Sequence, residues 1–124
     1  MSTVYSTAMR LYEQGDYVHA LSSFRNALEL GNERCAYGLA LCMYFGNGMF
    51  VDKSSAKQLI DGYLPRIEAY AAAGDTEAQQ VLGLYYSNGI FVPAERERAL
   101  YWLGQAAGKG DERSARVLNE LCRK

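Results

Sequence analysis

The segment YFGNGMFV at residues 44–51 returns as YYSNGIFV at residues 85–92, 41 positions later. A period of this size is that of a repeated two-helix unit, and it constrains the fold more than any composition value. Glycines punctuate the chain in the same rhythm. Gly15, Gly48 and Gly89 close the first helix of each pair, and Gly31, Gly74 and Gly110 close the second. Ala20, Ala56 and Ala99 open the second helices, where a small side chain lets two helices approach closely. A single helix pair cannot bury its apolar face alone, so such units stack on one another. The expected fold is all-α: one domain forming a short right-handed α/α superhelix of about three helix-pair repeats plus a C-terminal capping helix. The units are read at about 3–31, 33–74 and 75–110, with the cap at 111–124.

Apolar spacing places the helices. Val4, Ala8, Leu11 and Tyr12 mark one over 3–14, and Tyr17, Ala20, Leu21, Phe24, Ala27 and Leu28 mark the next over 17–30. A third is expected over 33–45, a fourth over 53–73, a fifth over 76–87, a sixth over 94–108 and a seventh over 112–123. Asp16, Asn32, Asp52, Asp75 and Asp111 stand where a helix cap is needed. Pro93 suits the first turn of the sixth helix. Pro65 falls inside the fourth, where it removes a hydrogen bond, so a bend or break is expected near Leu64. Met49, Phe50 and Val51 read as an apolar loop tucked under the helices, echoed by Ile90, Phe91 and Val92.

Ala78, Leu82, Gly83, Tyr86, Gly89 and Val92, followed by Ala99, Trp102, Ala106, Ala107 and Gly110, follow the pattern A-x-x-x-L-G-x-x-Y-x-x-G-x-G-V, then K-A-x-x-W-x-x-K-A-A-x-x-G. This resembles the Sel1-like repeat, a relative of the tetratricopeptide repeat. Phe91 replaces the second loop glycine and Arg98 the lysine. The first unit, with Tyr12, Gly15, Asp16, Tyr17, Ala20, Phe24 and Ala27, is closer to a tetratricopeptide repeat. The middle unit departs most: Cys42 stands where the glycine belongs and Phe45 where the tyrosine belongs. The resemblance implies a non-enzymatic protein–protein interaction module, an adaptor or scaffold.

The remaining chemistry is sparse. A net charge of −1 argues against nucleic acid as a partner. No stretch approaches the length needed to span a bilayer, and the N-terminal MSTVYSTAMRLYEQGD lacks a basic segment followed by an apolar run. A cytoplasmic protein is expected, with Cys35 and Cys42 as buried free thiols. Seven residues of helix hold these two about 10 Å apart, too far for a disulfide. Neither a metal site nor another cofactor is expected, because His19, the one histidine, is remote from the cysteines in sequence. No catalytic residue is assigned, since His19 has no nucleophile or acid at a catalytic spacing. GNGMF and SNGIF are read as helix-ending turns, and Glu95, Arg96, Glu97 and Arg98 as a solvated helix face.

The surface left for a partner is the concave face lined by first helices. Matched helix positions assign to it Tyr5, Met9 and Tyr12, then Leu39 and Met43, then Gln80 and Leu84, with Arg116 and Glu120 from the last helix. Exposed Met, Leu and Tyr in a groove suit a helix or an extended peptide of a protein partner. Coverage of this surface by the last helix, or by self-association into a homo-dimer, is the competing reading. A dedicated inhibitor or immunity protein that neutralises one toxin or enzyme is the alternative function, and it would concentrate binding in a few aromatic or arginine hot spots.

Overall fold

The computed structural model describes residues 3–123. Seven helices account for most of them, and no strand occurs among the described residues. They are α1 (Val4–Glu13), α2 (Tyr17–Glu29), α3 (Cys35–Phe45), α4 (Lys53–Ala72), α5 (Thr76–Asn88), α6 (Arg96–Ala107) and α7 (Glu112–Cys122). The chain divides into two compact units, the first ending at Pro65 and the second beginning at Arg66. In the first, α1 packs on α2 and α2 on α3; in the second, α5 packs on α6, and α7 packs on both.

Four of the expected glycine stops, Gly15, Gly31, Gly74 and Gly110, are built as one recurring corner, whereas α3 ends at Gly46 rather than Gly48 and α5 at Gly89. The Gly15 N–H donates to the Tyr12 carbonyl at 3.1 Å and the Asp16 N–H to the Leu11 carbonyl at 2.9 Å. This pair of bonds satisfies carbonyls that the end of α1 would otherwise leave open. It requires a left-handed residue, and Gly15 has φ +83°. The same two bonds recur at Gly31–Asn32, Gly74–Asp75 and Gly110–Asp111. The residue after the glycine then starts the next helix: carboxylates of Asp16, Asp75 and Asp111 accept from the N–H groups of His19, Ala78 and Ser114. Asn32 is the exception. It does not cap α3, which begins after Arg34 with no side-chain cap bond, and its Oδ1 is buried with no hydrogen-bond partner.

Two glycines inside helices serve packing. A Cβ on Gly38 would lie 2.2 Å from the Phe24 ring, and one on Gly83 would lie 2.5 Å from Leu103 Cδ2. The missing side chains therefore seat α2 on α3 and α5 on α6. Phe24 and Leu103 are fully buried there, each stabilising by about 1.5–3 kcal/mol.

Three expectations need correction. Of the bend or break expected near Leu64, the break does not occur; α4 runs through Pro65. Pro65 and Asp61 are both exposed, so water can bond the Asp61 carbonyl that the missing N–H would have paired. Pro93 lies before the sixth helix rather than in its first turn, because Glu95 occupies the N-cap. Finally, the two matched loops differ. Phe91 is buried and stacks on Tyr85, with centroids 6.3 Å apart and planes 16° from parallel. Phe50, its counterpart, is 95% exposed, and Val51 is 60% exposed. The cause is a shift of register. Gly46, where the other loop has Ser87, adopts φ +73° and ends α3 at Phe45, whereas α5 continues to Asn88. The loop-closing bonds move accordingly, from Asp52 N–H to Met43 carbonyl in one loop and from Glu95 N–H to Tyr86 carbonyl in the other. Two residues of helix have been exchanged for turn, and Phe50 points outward.

All three cysteines are free, Cys35 and Cys42 buried and Cys122 exposed. Burial pushes the Cys42 thiol up to about 11 and, aided by Cys42 and Tyr17, the Tyr12 phenol up to about 12. Both groups stay neutral in the folded chain at pH values where the unfolded chain ionises them. Their contribution to stability is therefore complete below pH 9 and lost as pH rises through 11 to 12. Urea midpoints measured across that window are expected to fall steadily. At neutral pH an aromatic disulfide reagent should label Cys122 rapidly and the other two thiols only on unfolding. Fast labelling of more than one thiol in the native protein would contradict the packing of α3.

Candidate functional site

Several residues assigned to the partner surface serve the interior instead. Tyr5, Met9 and Gln80 are 0%, 4% and 2% exposed. Tyr5 and Met9 lie among the buried residues of α1, which packs on α2. The Gln80 amide donates to both carboxylate oxygens of Asp111, at 3.0 and 2.9 Å, and its oxygen accepts from Arg113 at 3.3 Å. Since Asp111 caps α7, Gln80 fixes the start of that helix against α5. The neighbouring Gln79 donates to the Ala71 carbonyl at 3.0 Å and accepts from Lys109, which also bonds the Gly74 carbonyl. Buried amides with both ends satisfied are a device for fixing register, and they offer nothing to a partner.

The other assigned residues retain surface. Tyr12 is half-buried: its hydroxyl donates to Asn47 Oδ1 at 2.8 Å, and its ring meets Tyr17 edge-on. Leu39 and Met43 are half-buried on α3, and Arg116 is exposed on α7. Leu84 and Glu120 come together in a cleft of about 270 Å³ completed by Ser87, Asn88, Val117 and Leu121. The i, i+3, i+4 spacing of Leu84, Ser87 and Asn88 on α5 faces the same spacing of Val117, Glu120 and Leu121 on α7. Three aliphatic side chains supply apolar lining, and the hydroxyl, amide and carboxylate supply polar groups. Sequence reasoning missed Val117 and Leu121, although the amphipathic pattern of the last helix carried the signal.

The charged run at the start of α6 is more engaged than expected. Arg96 donates to the Leu121 carbonyl at 2.7 Å, satisfying an open carbonyl at the end of α7. Arg98 donates to the Tyr86 hydroxyl at 3.1 Å and lies 3.7 Å from the Glu95 carboxylate. The Tyr86 bond, with Glu95 beside it, raises the Arg98 pKa further above its usual value. Among the described residues, no group of three or more His, Cys, Asp or Glu side chains is placed to hold a metal ion. No helix among them is long and apolar enough to cross a membrane.

Comparison with known proteins decides the family. The Sel1 repeat model matches residues 34–60 and 76–111, which together make up about half of the chain. The chain belongs to the Sel1 repeat family. The matched residues include the Gly83–Leu103 contact and both long loops. Among solved structures, a Sel1 repeat protein from Oxalobacter formigenes is similar at 32% identity with a TM-score of 0.52. The match covers 82% of this chain but only 38% of that one, so this chain spans well under half the length of that relative. No curated protein matches. Sel1 repeats are protein-interaction scaffolds, and the α/α repeat architecture expected from the sequence is that of the family.

Proposed function

We propose that the chain binds a protein partner through the cleft between α5 and α7. The supporting observation is the lining itself. Leu84, Val117 and Leu121 can receive an apolar side chain, while Ser87, Asn88 and Glu120 can hold the adjoining backbone or a donor group. Interfaces of this kind concentrate affinity in a desolvated centre surrounded by polar contacts. The residues holding the cleft open are not at its surface: Gln80 and Asp111 fix α7 to α5 from within. Of the surface first assigned from sequence, Leu84 and Glu120 carry this reading.

The test compares the intact chain with Leu84→Glu and Leu121→Glu as baits in extract of the source cells. Both side chains are only partly buried, so the variants should keep their helical circular dichroism. Each is expected to lower retention of the partner at least tenfold, the effect of placing a charge at an apolar centre. Unchanged retention would remove the cleft from the interface. A single stoichiometric partner would favour an inhibitor, and several weak ones an adaptor.

A further inference from the structure

A second cleft, of about 430 Å³, lies in the same unit and shares no lining residue with the first. Its walls are Tyr86, Tyr101 and Trp102, with Glu68 from α4 and Glu97 and Arg98 from α6. Tyr101 is 58% exposed and stands edge-on to Trp102 with ring centroids 4.9 Å apart. A partly exposed aromatic pair of this kind offers electron-rich ring surface that attracts cations. The one cation in the lining is already engaged. The Arg98 guanidinium sits 5.3 Å from the Tyr86 ring centroid, donates to the Tyr86 hydroxyl and faces Glu95. Glu68 and Glu97 are exposed, and neither side chain makes a hydrogen bond or an ion pair within the described residues. The cleft therefore combines aromatic walls with two carboxylates: Glu97, which no contact neutralises, and Glu68, whose charge acts on Arg98.

We infer that this cleft is a receptor for an arginine side chain of a protein partner. The inference rests on the reading of the chain as a protein-binding module. Arginine fits better than lysine: its planar guanidinium stacks on an aromatic face while its edge donates to a carboxylate, and it sheds water more readily than an ammonium. Arg98, already lying over Tyr86, demonstrates that mode of contact within the chain itself. An anionic guest is disfavoured, because Glu68 and Glu97 outnumber the single arginine in the lining.

Trp102 is the only tryptophan, so its indole N–H is a unique reporter of the site. The probe is the capped tripeptide acetyl-Gly-Arg-Gly-amide, titrated into labelled protein and followed by two-dimensional NMR. A saturable shift of the indole signal is expected, with a dissociation constant on the order of millimolar. The same peptide carrying citrulline, which is isosteric and uncharged, should give no saturable shift, and the lysine peptide should bind more weakly. Glu68→Gln and Glu97→Gln are each expected to weaken the arginine peptide by about fivefold and to leave the circular dichroism unchanged. Three results would overturn the inference: no saturation, equal binding of the citrulline peptide, or indifference to both glutamate changes. So would inorganic phosphate shifting the indole where the arginine peptide does not. Because the probe needs no natural partner, its failure alongside intact, Leu84-dependent partner capture would remove this receptor and spare the α5–α7 cleft.

Discussion

Replacing Gly38 with alanine is expected to destabilise the chain by about 1–3 kcal/mol. The same swap in an open helix interior usually gains up to about 1 kcal/mol, since glycine is the freer residue when unfolded. The sign reverses because the added carbon would meet the Phe24 ring at 2.2 Å, and Phe24 is wholly buried. Gly83→Ala should behave alike against Leu103, and Gly83→Leu should cost more. Gly62 and Gly104 are the controls, as an added carbon there meets nothing within 4 Å. Their alanine variants are expected to gain about 0.5–1 kcal/mol. Chemical unfolding followed by circular dichroism measures all five. If Gly38→Ala matched its open counterparts, the seat of α2 on α3 would be wrong.

Phe91→Ala is expected to cost about 3–5 kcal/mol, and Phe50→Ala less than about 0.5 kcal/mol. The two residues hold the same place in the repeat, so sequence alone assigns them equal weight. Their surroundings do not. Phe91 lies against Tyr85 and is 5% exposed, while Phe50 is 95% exposed. Truncating Phe91 leaves a cavity beside α5; truncating Phe50 removes surface already in water. Thermal unfolding of the two variants in parallel provides the measurement. Equal losses would mean that the two loops share one conformation, contrary to the register shift at Gly46.

Much of this architecture was legible in the chain, for identifiable reasons. Helix ends were readable because a left-handed stop and an oxygen-bearing start stand side by side at Gly15–Asp16, Gly74–Asp75 and Gly110–Asp111. Both are local requirements that neighbouring packing does not override. The loop difference was also written in sequence, as FGNG against YSNG, but its meaning depends on which glycine turns left-handed. The partner surface was the least legible. Helical periodicity says that a residue faces a neighbour without saying whether the neighbour is protein or water. Tyr5 and Met9 were thus mistaken for surface, and Gln80, polar and expected outside, proved to be buried by its bonds to Asp111 and Arg113. Asn32 failed as a cap because α3 starts three residues later.

The glycine–aspartate corners leave the chain no slack. Where the glycine that closes one helix stands beside the aspartate that caps the next, an added amino acid must either unwind a turn or release a cap, so these joints should resist insertion. The stretches 46–52 and 89–95 are built otherwise: the two already differ by two residues in how their backbones close, and both remain folded. A tag, a reporter or a grafted epitope belongs beside Phe50, which is exposed to solvent, with α3 closed at Gly46 and α4 capped by Asp52 on either side.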